Sequence, residues 1–245
     1  MYRSSVQWLI VLIGFTASVL TVHAENLPNI QQRIDQFHEQ RAKQGGAQLS
    51  VDDKAVMEAG AKAIAHQLPE PGLAVGSKAP DFVLKNALGQ AVKLSDKLKQ
   101  GPVVLIFYRG AWCPYCNLQL HALRESLLVF KKYNAQLIAV TPQTPDKSLQ
   151  QVKKDNYPFE ILSDLDDGVA KSYRLYFELP QEVHQLYKTK FKLDIEEYNG
   201  KGRLGLPVPG SYVIKPDGII VAAFAQLDYK KRMEPSDILA ALKQL

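Results

Sequence analysis

Val103 to Tyr108 is an unbroken apolar and aromatic run that passes through Arg-Gly-Ala into a stretch where Leu118, Leu120, Leu123, Leu127 and Phe130 recur at near-helical spacing. A run with no polar face belongs in a strand covered on both sides, and the amphipathic helix expected from Cys113 to Tyr133 supplies one cover. A strand feeding directly into a long helix points to an α/β sheet sandwiched by helices. The rest of the chain keeps that rhythm. Phe82 to Leu84 and Val92 to Leu94 read as short strands about a turn at Leu88-Gly89, and Ala135 to Thr141 as a second buried strand. Ser148 to Lys154 reads as a helix, Phe159 to Ser163 as a short strand and Asp166 to Tyr173 as a helix. Ser211 to Ile214 and Ile219 to Phe224 flank Lys215-Pro216-Asp217-Gly218, a turn with Pro and Gly where a tight hairpin wants them. A last helix runs from Pro235 to Lys243.

Three segments stand outside this pattern. Residues 1–24 carry one early cation, Arg3, an apolar stretch from Trp8 to Val22, and Ala24 before Glu25. This is the layout of a secretory signal with cleavage after Ala24; an uncleaved N-terminal anchor is the alternative. The stretch is shorter than the ~20 apolar residues a spanning helix needs, so no stable membrane association is expected once the signal is removed. A periplasmic or otherwise secreted, oxidising location follows. Residues 25–70 form a helical arm: Ile30, Ile34 and Phe37, then Val56, Ala59 and Ala63, fit two amphipathic helices separated at Gly45-Gly46. Leu175 to Leu206 interrupts the domain of residues 71–245 with YFELPQEVHQLYKTKF, an inserted helical segment placed near the active face.

The 30 basic and 25 acidic residues are scattered without a basic block, so the charge of +5 reads as solvated surface, with no nucleic-acid partner implied. Only two cysteines occur, Cys113 and Cys116, so a multi-disulfide scaffold is excluded. They sit where the strand gives way to the helix, where unpaired N–H groups favour an anion and thiols ionise readily. Positions i and i+3 bring the sulfurs close enough for a reversible bridge, and Pro114 suits the first helical turn. A structural disulfide fits the compartment but closes too short a loop to stabilise much. Covalent haem wants His after the second cysteine, where Asn117 stands. Zinc wants four ligands, and the histidines show no paired spacing; His121 with both thiols would suit copper, or lies on the helix surface.

AVGSKAPDFVL (Ala74 to Leu84), GPVVLIFYRGAWCPYCNLQL, LPVPGSYVIKPDG and DYKKRMEP, in that order, resemble the alkyl hydroperoxide reductase and thiol-specific antioxidant family. More narrowly they resemble its peroxiredoxin-like branch with a Trp-Cys-Pro-x-Cys element in a thioredoxin-like fold. The resemblance places Cys116 at the peroxidatic position, with Cys113 where that motif has Thr and Arg109 where it has Pro. The same residues are similar to a thioredoxin active site, in which Trp112 precedes an exposed attacking Cys113 and Cys116 resolves the mixed disulfide. Pro209 matches the cis proline that lies against the cysteines of that fold, and Arg232 matches a second active-site arginine. What the resemblance implies is a thiol-dependent peroxidase without further cofactor or metal, taking hydroperoxides and regenerated by a thioredoxin-like reductant. A thiol-disulfide oxidoreductase acting on protein disulfides is the second reading, and a copper chaperone the third. The arm and the insertion are candidates for self-association into a homo-oligomer or for substrate choice.

Overall fold

In a computed structural model of the chain, residues 26–45 and 49–245 are described; the signal-like segment and Gly46 lie outside them. The arm holds helices α1 (Ile30–Lys43) and α2 (Val51–Gln67). The domain then runs β1 (Val83–Asn86), β2 (Ala91–Lys93), α3 (Leu94–Leu98), β3 (Val103–Phe107), α4 (Pro114–Lys131), β4 (Gln136–Thr141), α5 (Pro145–Asp155), β5 (Glu160–Ser163) and α6 (Gly168–Ser172). The inserted segment contributes β6 (Tyr176–Glu178), α7 (Gln181–Lys190), α8 (Glu196–Asn199) and β7 (Gly205–Pro207). The chain closes with β8 (Gly210–Ile214), β9 (Ile220–Ala225) and α9 (Pro235–Leu242).

The central sheet has the order β2-β1-β5-β4-β3-β8-β9. Its middle strands β5, β4 and β3 are parallel, and the pairs on either side are antiparallel hairpins, as the two turn signals require. The apolar run behaves as a strand covered on both faces. Val104, Ile106 and Tyr108 point to a cluster with Leu120, Leu123 and Phe130 of α4 and Ile238 and Leu242 of α9. Val103, Leu105 and Phe107 point the other way, to Tyr173, Tyr212, Phe177 and Val183. This two-residue alternation makes β3 the wall between two cores.

The inserted segment is more than a helix. Its ends pair as a two-stranded antiparallel sheet, Tyr176 opposite Pro207 and Glu178 opposite Gly205, in strands too short for a periodicity to be read. Its helix α7 carries the arm. Gly60 of α2 lies so close that a Cβ there would stand 2.3 Å from Val183 Cγ2, so a bare α-carbon is what lets the two helices touch. Gln67 closes the far end by exchanging two hydrogen bonds with the backbone of Glu178, at 3.1 and 2.8 Å. Lys190 pairs with Asp53 at 2.9 Å.

α1 is fastened to the domain instead. Its first backbone N–H groups, on Ile30 and Gln31, donate to the Glu234 carboxylate at 2.7 and 2.8 Å, where a helix start favours an anion. Ile30 and Ile34 bury themselves against Ala122 of α4, worth about 2 kcal/mol each. α1 thus packs on α4 and α2 on α7.

Candidate thiol redox site

Cys113 is the N-cap of α4, Pro114 occupies its first turn and Cys116 follows one turn on, as the spacing predicts. Both cysteines are free thiols. Both are also fully buried, at 0% exposure, which corrects the expectation of an exposed attacking Cys113. The cover comes from segments distant in sequence. Tyr115 packs on Phe37 and His38 of the arm and on Tyr229, and Trp112 packs edge-on against Tyr187 of α7.

Burial alone would keep a thiol neutral, and two guanidinium groups act against it. Arg109 Nη2 donates to Cys113 Sγ at 3.4 Å, and Arg232 Nη2 to Cys116 Sγ at 3.6 Å. The arginines are themselves 5% and 7% exposed. Arg109 lies over the Tyr229 ring, 4.1 Å from its centroid, and 5.0 Å from that of Trp112. Arg232 donates to the carbonyls of Tyr229 and Lys231.

The pair divides one negative charge unequally. Burial pushes Cys113 up, but a hydrogen bond from Cys116 and the charges of Arg109 and Arg232 outweigh it and hold this thiol well below the usual range. Burial, that same hydrogen bond and the Cys113 thiolate hold Cys116 well above it, against Arg232 and Arg109. Of the two thiols, Cys113 is the one these surroundings push toward the anion and Cys116 the one they push toward keeping its proton.

Of the other expected residues, Pro209 lies near Arg109 in the lining of a neighbouring cavity, but it is not cis: among the described residues every peptide bond is trans. Arg109, which contacts Cys113, is itself packed against Trp112 and Tyr229. His121 does not join the sulfurs; its Nε2 is 3.6 Å from Asp155 Oδ1 and its ring packs on Tyr157, so the copper set is not assembled. The one His, Asp and Glu cluster among the described residues, His184, Asp194 and Glu196, lies in the insertion and is bridged by Lys188 to Asp194 at 2.7 Å.

Two cavities meet at the guanidinium of Arg109. One, of about 320 Å³, lies under the arm and insertion and is lined by Met57, Ile64, Val183, Tyr187, Pro209 and Tyr229. The other is a groove of about 820 Å³ in front of Trp112 and Tyr115. Sequence reading also missed the buried amides behind the loop, Gln143 and Gln151, because polar residues in a loop and on a polar helix look like surface.

A strand-to-helix junction in a mixed sheet, carrying two convergent thiols and two buried guanidiniums, defines a thiol redox protein of the thioredoxin-like class. The AhpC/TSA family model matches residues 75–223, and the chain belongs to that family. It is 32% identical over 125 residues to peroxiredoxin Bcp of Bacillus subtilis, covering 50% of this chain and 79% of the relative. With the chloroplast peroxiredoxin Q of Oryza sativa subsp. japonica it shares 39% over 98 residues, 40% of this chain and 45% of that one. The crystal structure of peroxidoxin BcpB from Mycobacterium tuberculosis superposes with a TM-score of 0.56 at 21% identity, over 72% of this chain and 99% of that one, and supports the fold. The arm precedes the family match.

Proposed function

We propose that this chain is a thiol-dependent peroxidase of peroxiredoxin type in which Cys113 is oxidised first and Cys116 resolves it. The carrying observation is the unequal pair: Cys113 accepts hydrogen bonds from Arg109 and from the Cys116 thiol, while Cys116 is held toward its neutral form. The Cys113 thiolate attacks a hydroperoxide; an S–O bond forms, the O–O bond breaks, and the alcohol oxygen leaves as an anion that takes the Cys116 proton. Arg109, on Cys113, lies beside that developing charge, and Arg232, on Cys116, serves the step that follows. Once Cys113 is a neutral sulfenic acid, the negative charge that held Cys116 up is gone. The Cys116 thiolate then attacks the sulfenic sulfur; the S–S bond forms, the S–O bond breaks, and the departing hydroxide takes a proton from solvent and leaves as water. A thioredoxin-like dithiol donor reduces the bridge by exchange.

The family register assigns first attack to Cys116; the charge distribution favours Cys113. Reduced protein treated with one equivalent of hydrogen peroxide, followed by peptide mass spectrometry, separates the two. A sulfenic acid on Cys113 in Cys116→Ser and little oxidation in Cys113→Ser is the expected result. Oxidation confined to Cys116 in Cys113→Ser reverses the order, and no peroxide consumption by wild type ends the peroxidase reading. That the curated relatives named above are peroxiredoxins favours a hydroperoxide over a protein disulfide as substrate. The signal-like N-terminus supports a periplasmic setting, tested by recovering the mature chain beginning at Glu25 from that compartment.

A further inference from the structure

Behind the thiols, four hydrogen bonds form a closed circuit that begins and ends on one residue, Ala111. The backbone N–H of Ala111 donates to Gln143 Oε1 at 3.0 Å, and Gln143 Nε2 donates to Gln151 Oε1 at 3.1 Å. Gln151 Nε2 donates to Asn117 Oδ1 at 3.1 Å, and Asn117 Nδ2 returns to the Ala111 carbonyl at 2.8 Å. Both polar ends of Ala111 are thereby held, and each of the three amides uses its oxygen and its nitrogen in turn. The polarity is forced. An N–H can only donate and a carbonyl can only accept, so the two backbone termini fix the orientation of every amide between them.

The circuit joins three elements of the chain. Ala111 belongs to the loop between Arg109 and Cys113, Asn117 is the residue after Cys116 on α4, and Gln151 lies on α5. Gln143, in the β4–α5 connection, is fully buried and also reaches Ser148 Oγ and the Tyr108 hydroxyl, at 3.2 and 3.3 Å. That hydroxyl in turn donates to Gln151 at 2.8 Å. The loop needs such support. Gly110 has φ +144° and lies so near Trp112 that a Cβ would stand 2.5 Å from its Nε1, a fold-back with no regular structure to stabilise it.

We infer that Gln143, Gln151 and Asn117 are positioning residues that hold the loop of Ala111 so that the Arg109 guanidinium stays on Cys113 Sγ. Their chemistry suits the task. An amide neither titrates nor oxidises under the conditions that ionise or oxidise a thiol, so the frame stays constant while both sulfurs change state. A loop that loses either tether samples many orientations, and a 3.4 Å contact from Arg109 becomes one among them.

The inference builds on Cys113 as the reactive thiolate but is tested without peroxide. Labelling of Cys113 by iodoacetamide in the reduced full chain is followed against pH by peptide mass spectrometry, for wild type, Gln143→Leu, Asn117→Ala and the double variant. Each single variant is expected to raise the labelling midpoint by about one pH unit, a tenfold loss of rate on the acid side. The double variant should do no worse than the stronger single, because one circuit is broken once. Gln119→Leu is the control. Gln119 is equally buried on α4 but donates to Ser211 Oγ, outside the circuit, so its loss lowers the melting temperature and leaves the midpoint alone. Midpoints unmoved while stability falls, or single effects that simply add, would overturn the positioning role. Asn117 is half-buried at the helix surface, so Asn117→Ala decides the matter if Gln143→Leu does not fold. Peroxidase activity can be absent and this test still be read; conversely, an active enzyme with unmoved midpoints sinks only the circuit.

Discussion

Two helices in this chain begin beside a buried acid, and the acids behave in opposite ways. At the head of α4, Cys113 meets Arg109 and Arg232 and ionises more readily than a free thiol. At the head of α6, the Asp164 carboxylate accepts the backbone N–H groups of Val169 and Ala170 at 3.2 and 2.8 Å, yet its pKa is pushed up to about 6. Burial is the main cause there, and the negative charges of Asp167 and Asp166 add to it against those two hydrogen bonds. A cation does lie close by. Arg203 donates to the Asp164 carbonyl at 3.2 Å and to Asp167 Oδ1 at 3.3 Å, not to the Asp164 carboxylate. Helix length differs too: α4 has 18 residues and α6 has 5, too few for peptide dipoles to sum far. Helix N–H groups alone do not overcome burial. A guanidinium on the anion itself makes the difference.

Removing that guanidinium is the strongest way to break the comparison. Arg109→Gln should lower peroxide consumption about 100-fold, the usual scale for losing a donor aimed at developing charge. It should also raise the pH at which Cys113 is alkylated, so that the thiol follows Asp164 in favouring its neutral form. Stopped-flow peroxide consumption and pH-dependent labelling measure the two effects; a variant with wild-type labelling would detach Arg109 from the chemistry. Arg232→Gln should cost less, about tenfold, because its contact is to Cys116. The loss should fall on disulfide formation, so the sulfenic acid on Cys113 lives longer and is trapped by dimedone in higher yield. Equal losses in both half-reactions would contradict that division of roles.

The two sites were unequally legible in sequence. The apolar run, the Cys-Pro-Tyr-Cys junction and the two hairpin turns specify the central sheet through local periodicity and turn chemistry, and each forms where expected. Local patterning also places both thiols at the start of α4. Arg232 was reachable only through resemblance, since a charged loop after a hairpin reads as surface; here it is buried on Cys116. Burial of Cys113 was not legible, because its cover comes from Tyr187 and the arm, contacts that local periodicity does not encode. The amide circuit was hidden for a related reason: Gln150 and Gln151 are adjacent and chemically identical, and only the packing of α5 turns the second one inward. The trans bond at Pro209 shows a limit of carrying geometry over with a motif, because a sequence match fixes the residue type and not its peptide isomer.

The smaller effects lie at α6. Asp164 has a folded pKa raised above the unfolded value of about 3.9, so the fold prefers its protonated form. The stability it contributes is fully present below pH ~4 and is lost as pH rises through about 6, a change of about 3 kcal/mol in all, of which about 2 kcal/mol falls between pH 4.5 and 7.5. Asp164→Asn removes this titration. Urea denaturation at pH 4.5 and 7.5 should therefore show the wild type losing that amount relative to the variant; parallel pH profiles would place the carboxyl among ordinary ionised groups. Asp164→Asn also has a fixed cost at every pH, because its amide nitrogen must face one of the two N–H donors, about 1 kcal/mol. Asp166→Asn is the finer probe. Asp166 raises Asp164 by its charge, and a hydrogen bond between the two carboxyls favours the protonated Asp164. Asparagine at 166 retains an oxygen for the Gly168 N–H while removing the charge, so the Asp164 midpoint should fall by roughly a few tenths of a pH unit, read by carbon NMR of the side-chain carboxyl. A larger fall would make neighbouring charge, rather than burial, the main difference between this helix start and the one that carries the thiols.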